Sequence, residues 1–171
     1  MASGKRTVDS AQREVLIQTY ADGPAKLRAA VDAAPESMRK WRPEAGEFSV
    51  HEVAVHCADS ETNSHARIRY LVAEDNATIF GYDPDAWARK FSYNDHPLGA
   101  ALLAVEAVRA NTVPVLRRMS DEDWASAGTH TESGQYTAEG WLRTYAAHLE
   151  QHVLQVRGVI AAWEAAGRPQ G

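Results

Sequence analysis

Apolar residues along most of this chain recur at steps of three and four, the period that puts them on one face of an α-helix. The C-terminal stretch is the clearest case, with Trp141, Tyr145, Val156, Val159 and Trp163 on a single stripe. His148 and His152, spaced i and i+4, share that stripe, so both imidazoles leave one side of the predicted helix a turn apart and face the core. Thr137 is placed to cap this helix, which ends near Gly167 and Pro169. No stretch alternates like a strand over a useful length, and there is no internal repeat or low-complexity tract.

The same reading predicts the remaining elements. Asp9 or Ser10 caps a first helix, and Pro24 suits the first turn of a second segment near 24–34. Residues 41–46 form a loop. Ser49-Val50-His51-Glu52 has the capping-box form and starts a helix that runs to about Glu74. Residues 76–97, rich in Asn, Asp, Gly and Pro, form a long connection with a short helical turn around 83–90. A third long helix spans about 97–119, where Pro114 should kink it. Residues 120–136 form another connection. Four long helical segments with one or two long connections predict an all-α four-helix bundle, a single domain over 1–171 with its core at about 10–166.

Composition narrows the partners. The formal charge is 18 − 23 = −5 with no basic block, which disfavours nucleic-acid binding. No apolar run approaches the roughly 20 residues that span a bilayer, and no apolar segment follows residues 1–6 as in a signal peptide. The single Cys57 rules out an intrachain disulfide. These features lead us to expect a soluble, cytoplasmic protein with a small-molecule partner and neither nucleic acid nor membrane.

Two histidines on the buried side of a helix need partners, and a metal ion is one solution. His56 is a candidate third ligand: with Ser60, Asn63 and Arg67 it falls at steps of four, three and four beside an apolar face carrying Val53, Cys57, Ile68 and Leu71. Alone, that polar stripe equally fits a solvated surface, and the helical pair alone more readily fits satisfied core histidines or a partly exposed seam. Neutral imidazoles suit Zn²⁺, Ni²⁺, Fe²⁺ or Co²⁺, with Mn²⁺ a further option. Three protein ligands leave positions open for water or a thiolate, as in catalytic sites. The Glu that a zincin helix places after its first His is missing: Leu149 stands there, and Glu150 points away.

Asp59, at i+3 from His56, and Gln155, at i+3 from His152, are placed to hydrogen-bond the ligand imidazoles, although Asp59 also reads as an ordinary surface acid. Asp59, Ser60 and His130 are the candidate catalytic groups, His130 in a loop that could cover a cleft. Cys57 reads as a buried structural thiol. His51, about 140° round the helix from His56, reads as exposed. His65 and His96 carry no motif and read as surface residues.

Trp41-Arg42-Pro43, Val55-His56-Cys57-Ala58-Asp59-Ser60, Asn63-Ser64, Glu74-Asp75-Asn76-Ala77-Thr78-Ile79, His130-Thr131-Glu132-Ser133-Gly134 and Tyr145-Ala146-Ala147-His148-Leu149-Glu150-Gln151-His152 occur in this order. Together they resemble the DinB-like superfamily, specifically its YfiT branch, over roughly residues 24–160. The resemblance implies an up-down-down-up bundle, often a homodimer, with a divalent metal held by His56, His148 and His152, Zn or Ni first. It also implies one of two activities, a metal-dependent hydrolase or an S-transferase using bacillithiol, mycothiol or another low-molecular-weight thiol as cosubstrate. The chain departs from the family where tandem histidines are replaced by Val55 and Gln151, where Glu47-Phe48 replaces a glycine-tryptophan pair, and where Thr131 replaces a proline. His148 and His152 keep the i, i+4 spacing and are retained as ligands. The alternatives to an enzyme are a non-catalytic, stress-related metal- or small-molecule-binding protein, and a purely structural trio of hydrogen-bonded histidines.

Overall fold

Local signals set the helix starts in the computed structural model, which describes residues 9–169. The sequence expectations for residues 1–6 and for the outermost ends of the 1–171 domain lie outside these residues. Helix α1 (Ser10–Asp32) begins at Asp9, whose side chain accepts from the Gln12 N–H at 2.8 Å. Helix α2 (Val50–Ala73) begins in the predicted capping box: Ser49 Oγ accepts from the Glu52 N–H and the Glu52 carboxylate accepts from the Ser49 N–H. The short α3 (Pro84–Lys90) is capped by Asp83. Helices α4 (Leu98–Leu116), α5 (Asp121–Ala125) and α6 (Ala138–Ala165) follow, with Thr137 capping α6 through the Gly140 N–H.

The four long helices form a ring in which α1 packs on α6 and α4, and α2 packs on α4 and α6. Two apolar clusters fill its two ends. One gathers Ile17 and Tyr20 of α1, Ile68 and Leu71 of α2, Leu116 of α4, and Trp141, Leu142 and Tyr145 of α6. The other takes Leu27 and Val31 of α1, Val53 and Cys57 of α2, Leu102 and Val105 of α4, and Val153, Val156 and Trp163 of α6. The early part of α1 thus meets the late parts of α2 and α4 and the early part of α6, which is an up-down-down-up bundle. The long connection after α2 is what lets α2 and α4 run the same way.

Four departures from the sequence reading have physical causes. Strands exist: β1 (Thr78–Ile79) pairs in parallel with β2 (Ala127–His130), which pairs antiparallel with β3 (Gly134–Thr137). At two to four residues they are too short for alternation to show. The stretch 120–136 also contains α5, capped by Ser120. Pro114 sits in the last turn of α4, where little helix remains to kink.

Pro24, finally, starts no second helix and lies inside α1. Proline cannot donate to the carbonyl four residues back, which is Tyr20 O. Arg109 Nη1, from α4, donates to that carbonyl at 2.6 Å and fills the vacancy. Gly23 makes room for it, since a Cβ there would lie 2.5 Å from the same Nη1. Among the described residues α4 is the one helix with the length and apolar composition to cross a membrane. Here it packs in the bundle with Arg109 turned inward.

Candidate metal centre

The three predicted histidines meet where the two apolar clusters join. One nitrogen from each of His56, His148 and His152 lies within 4.8 Å of the others, the one such gathering among the described residues. His56 projects from α2 next to Cys57, and α6 supplies the other two from successive turns. The His148 and His152 Nε2 atoms are 3.2 Å apart. Phe48 forms one wall, its ring 5.9 Å from that of His56 and 6.5 Å from that of Tyr93. Gln151, at a position where the family often has histidine, is exposed, and Val55 is packed in the core.

The ring protons can be placed from their surroundings. His152 Nδ1 lies 2.8 Å from Gln155 Oε1, an acceptor, so Nδ1 carries the proton and Nε2 the lone pair. His148 Nδ1 faces Glu61 Oε1 at 3.4 Å, which places its proton on that side as well. Two lone pairs therefore converge at 3.2 Å, a repulsive arrangement that a cation relieves. Two nitrogens bound to a tetrahedral ion at about 2.05 Å stand about 3.3 Å apart. Burial, then the charges of the neighbouring histidines, lowers the His56 pKa to about 3 and the His152 pKa to about 4, so both rings are neutral at pH 7. His56 Nδ1 and His148 Nδ1 are both buried without a hydrogen-bond partner. Three imidazole nitrogens gathered within 4.8 Å, beside two buried ring nitrogens that have no hydrogen bond, fit a divalent ion.

Two groups absent from the sequence-derived candidate list organise this centre. Glu61, fully buried, holds Arg109 Nη2 at 2.6 Å and faces His148. Burial alone would raise its pKa; His148 and Arg109 hold it below the usual carboxylate range. Arg109 Nη2 also donates to Tyr145 O at 2.8 Å, and its guanidinium lies 4.0 Å from the Tyr20 ring centre. The signal for both was present. Glu61 interrupts the apolar series Val53, Cys57, Ile68, Leu71, and Arg109 interrupts Leu102, Val105, Leu116, each at a helical step. Opposite charges in the buried stripes of two helices indicate a buried ion pair.

The other predicted residues are distributed around the cluster. Gln155 bonds His152 as expected. Ser60 Oγ lies 3.3 Å from His148 Nε2. Asp59 is half-buried and bonds no histidine; its Oδ2 accepts from the Tyr93 hydroxyl. His130 ends β2, its ring 5.5 Å from that of Tyr136, and stays outside the trio. Cys57 is buried, which pushes its thiol pKa up and makes it inert. His51, expected at the surface, is buried because its Nε2 reaches His96 O at 2.7 Å. His65 is half-buried, its Nδ1 3.1 Å from Thr112 Oγ1, while His96 is exposed.

The profile of the DinB superfamily matches residues 19–156. The chain belongs to the DinB superfamily. This DinB-superfamily chain is 27% identical over 154 residues to YfiT of Bacillus subtilis, named as a candidate metal-dependent hydrolase, across 89% of this chain and 86% of that one. A relative from Oceanobacillus iheyensis with the same designation is 31% identical over 111 residues, 65% of this chain and 64% of that one. The solved structure of Bacillus subtilis YfiT, described as a metal-dependent hydrolase candidate with an unusual four-helix bundle topology, superposes with a TM-score of 0.86 at 22% identity, over 98% of this chain and 95% of that one. This last likeness concerns the fold.

Proposed function

We propose that this DinB-superfamily protein is a metal-dependent hydrolase whose divalent ion, zinc or nickel first, is held by His56, His148 and His152. The observation that carries the reading is the convergence of the His148 and His152 Nε2 atoms at 3.2 Å, with His152 Nδ1 bonded to Gln155 and His148 Nδ1 facing the Glu61 carboxylate. A divalent ion there supplies Lewis acidity and brings the pKa of a water to about 7. Glu61 and Gln155 fix the tautomer and tilt of the two α6 ligands. Asp59, with one oxygen held by Tyr93, keeps a second oxygen that would serve as the proton acceptor for a water at the centre. Ser60 donates toward the site from the same helix face. Phe48 and the buried Tyr93 keep bulk water from the His56 side.

Metal content decides the first step. Protein purified without chelator is expected to hold or take up one divalent ion per chain, and His148→Ala to hold none. No stoichiometric uptake by the wild-type chain on reconstitution refutes the reading. Offering an activated ester or an epoxide with and without small thiols then separates the two chemistries. Thiol-independent turnover supports the hydrolase, and strict thiol dependence assigns the site to S-transfer instead. Binding of metal without turnover on any electrophile leaves the non-catalytic module. A cytoplasmic homodimer belongs to the same proposal and is tested by sedimentation equilibrium of the metal-loaded protein.

A further inference from the structure

Beside the histidines lies a second group of polar side chains that metal binding does not use. Arg67 follows Ser60 on the same face of α2, seven residues and about 10 Å further along the helix. An arginine on a helix leans back toward the N-terminus, here toward the histidines. Its Nη1 donates to the Tyr145 hydroxyl at 3.0 Å and its Nη2 to Phe80 O at 2.6 Å. Two of the five guanidinium N–H donors are thus engaged, and three are left over. No carboxylate among the described residues pairs with Arg67. Asp59 is held by Tyr93, Glu61 by Arg109, and Glu132, on the hairpin turn against Gly81, makes no ion pair with it.

Hydroxyls surround this unpaired cation. Its carbon lies 6.0 Å from the Tyr82 ring centre, and its charge is felt by Tyr82, Tyr136 and Tyr145 alike. Burial raises all three phenol pKa values, that of Tyr82 to about 12, so each remains an O–H donor at neutral pH. The Ser60 hydroxyl lies 3.3 Å from His148 Nε2. The Tyr145 ring is 5.7 Å from that of His148. The Arg67–Tyr145 bond and the Tyr145–His148 ring contact therefore join the histidine centre to a half-buried guanidinium with spare N–H groups.

We propose that Arg67, with Tyr82 and Tyr145, is a subsite for a compact oxyanion, a carboxylate or phosphate carried by the substrate, next to the three-histidine centre. A guanidinium fork with adjacent phenols matches the planar or tetrahedral array of acceptor oxygens that either group presents. In a chain of net charge −5, an uncompensated, half-buried cation is where such a group would be drawn. The inference rests on the proposed function for the reacting centre, and it narrows the substrate to small acids whose charged group lies within about 10 Å of the bond that breaks.

The test is equilibrium binding of inorganic phosphate and of succinate to the full chain, both metal-loaded and chelated, by titration calorimetry. Saturable binding to the chelated protein is expected for at least one probe, and comparison of the two separates phosphate from carboxylate preference. Arg67→Met is expected to weaken that binding at least about tenfold, and Tyr82→Phe by about two- to tenfold. Should Arg67→Met fail to fold, Arg67→Lys keeps the charge and loses the fork, and is expected to weaken binding by about two- to tenfold. Metal uptake by Arg67→Met should stay stoichiometric, so loss of this subsite is distinguishable from failure of the metal centre. Absence of saturable binding to the chelated wild-type chain overturns the proposal. So does equal binding by Arg67→Met and wild type, or by Arg67→Lys and wild type where that variant stands in.

Discussion

Glu61→Gln tests how far the buried ion pair supports both the fold and the centre. Glu61 and Arg109 are 0% and 1% exposed, so no water replaces the lost charge. The substituted amide leaves a guanidinium in the core with neutral acceptors alone, the amide oxygen, Tyr20 O and Tyr145 O, and no counter-charge. Breaking a buried pair from one side costs about 3–5 kcal/mol. At roughly 2–4 °C per kcal/mol for a chain of this length, Tm should fall by about 6–20 °C. His148 also loses the charge facing its Nδ1, which should weaken metal binding by about ten- to a hundredfold. Calorimetry of the chelated protein reads the first effect and competition with a chromophoric chelator reads the second. A Tm within about 2 °C of wild type together with unchanged affinity would refute the reasoning. The pair Glu61→Leu/Arg109→Leu adds a sharper arm. Removing both charges is often neutral, but here Tyr20 O, which has no helical donor, loses its partner at about 1–3 kcal/mol, so the double variant should remain about 1–3 kcal/mol below wild type.

Other outcomes follow from the same geometry. Gln155→Ala should retain one metal ion per chain with about ten- to a hundredfold lower affinity, read by the same competition assay; undiminished affinity would remove Gln155 from any role in orienting His152. The metal-free protein should lose stability as pH falls from about 6.5 toward 4, because His56 and His152 titrate lower in the folded than in the unfolded chain, which therefore binds more protons in that window. Each histidine contributes at most about 1.4 kcal/mol per pH unit, the lowered pKa of Glu61 adds loss at still lower pH, and denaturant unfolding that is flat or more stable toward pH 4.5 contradicts the assignment. Gly23→Ala should destabilise by about 1–3 kcal/mol in chemical unfolding, since its Cβ would press on a guanidinium pinned at two carbonyls and a carboxylate; a neutral effect would show that Arg109 can shift.

What the sequence revealed depended on whether a feature is local. The Ser49–Glu52 box, the Asp9 and Thr137 caps and the stripe of Trp141, Tyr145 and Val156 are encoded within a few residues, and each stands where the pattern put it. His148 and His152 were legible because one helix carries both. His56 joined them through the ordered motifs, since no spacing rule links residues on α2 and α6. The paired strands were illegible because two to four residues cannot establish a period, and β1 finds β2 only across about fifty residues of intervening chain. The misreading of Pro24 has the same root: the donor that rescues its helix lies on α4. His51 likewise looked exposed from its angle on α2, whereas the carbonyl that buries it comes from the connection before α4.

These non-local contacts form one chain of dependence. Pro24 leaves Tyr20 O without a helical donor, and Gly23 opens the space through which Arg109 reaches it. The same guanidinium binds Tyr145 O on α6 and Glu61 on α2, and Glu61 faces the ring of His148. One buried cation therefore touches α1, α2 and α6 from its place on α4, so all four long helices contribute to the orientation of a single ligand. A bundle packed by apolar side chains alone tolerates small slides of one helix along another, because methyl contacts are non-directional. Hydrogen bonds to two named carbonyls and a carboxylate are directional and permit one register. The unfavourable features, a proline and a glycine inside a helix and a charge pair in the core, are then the means by which His56 on α2 and the α6 pair are held in one register, with their ring nitrogens within 4.8 Å of one another.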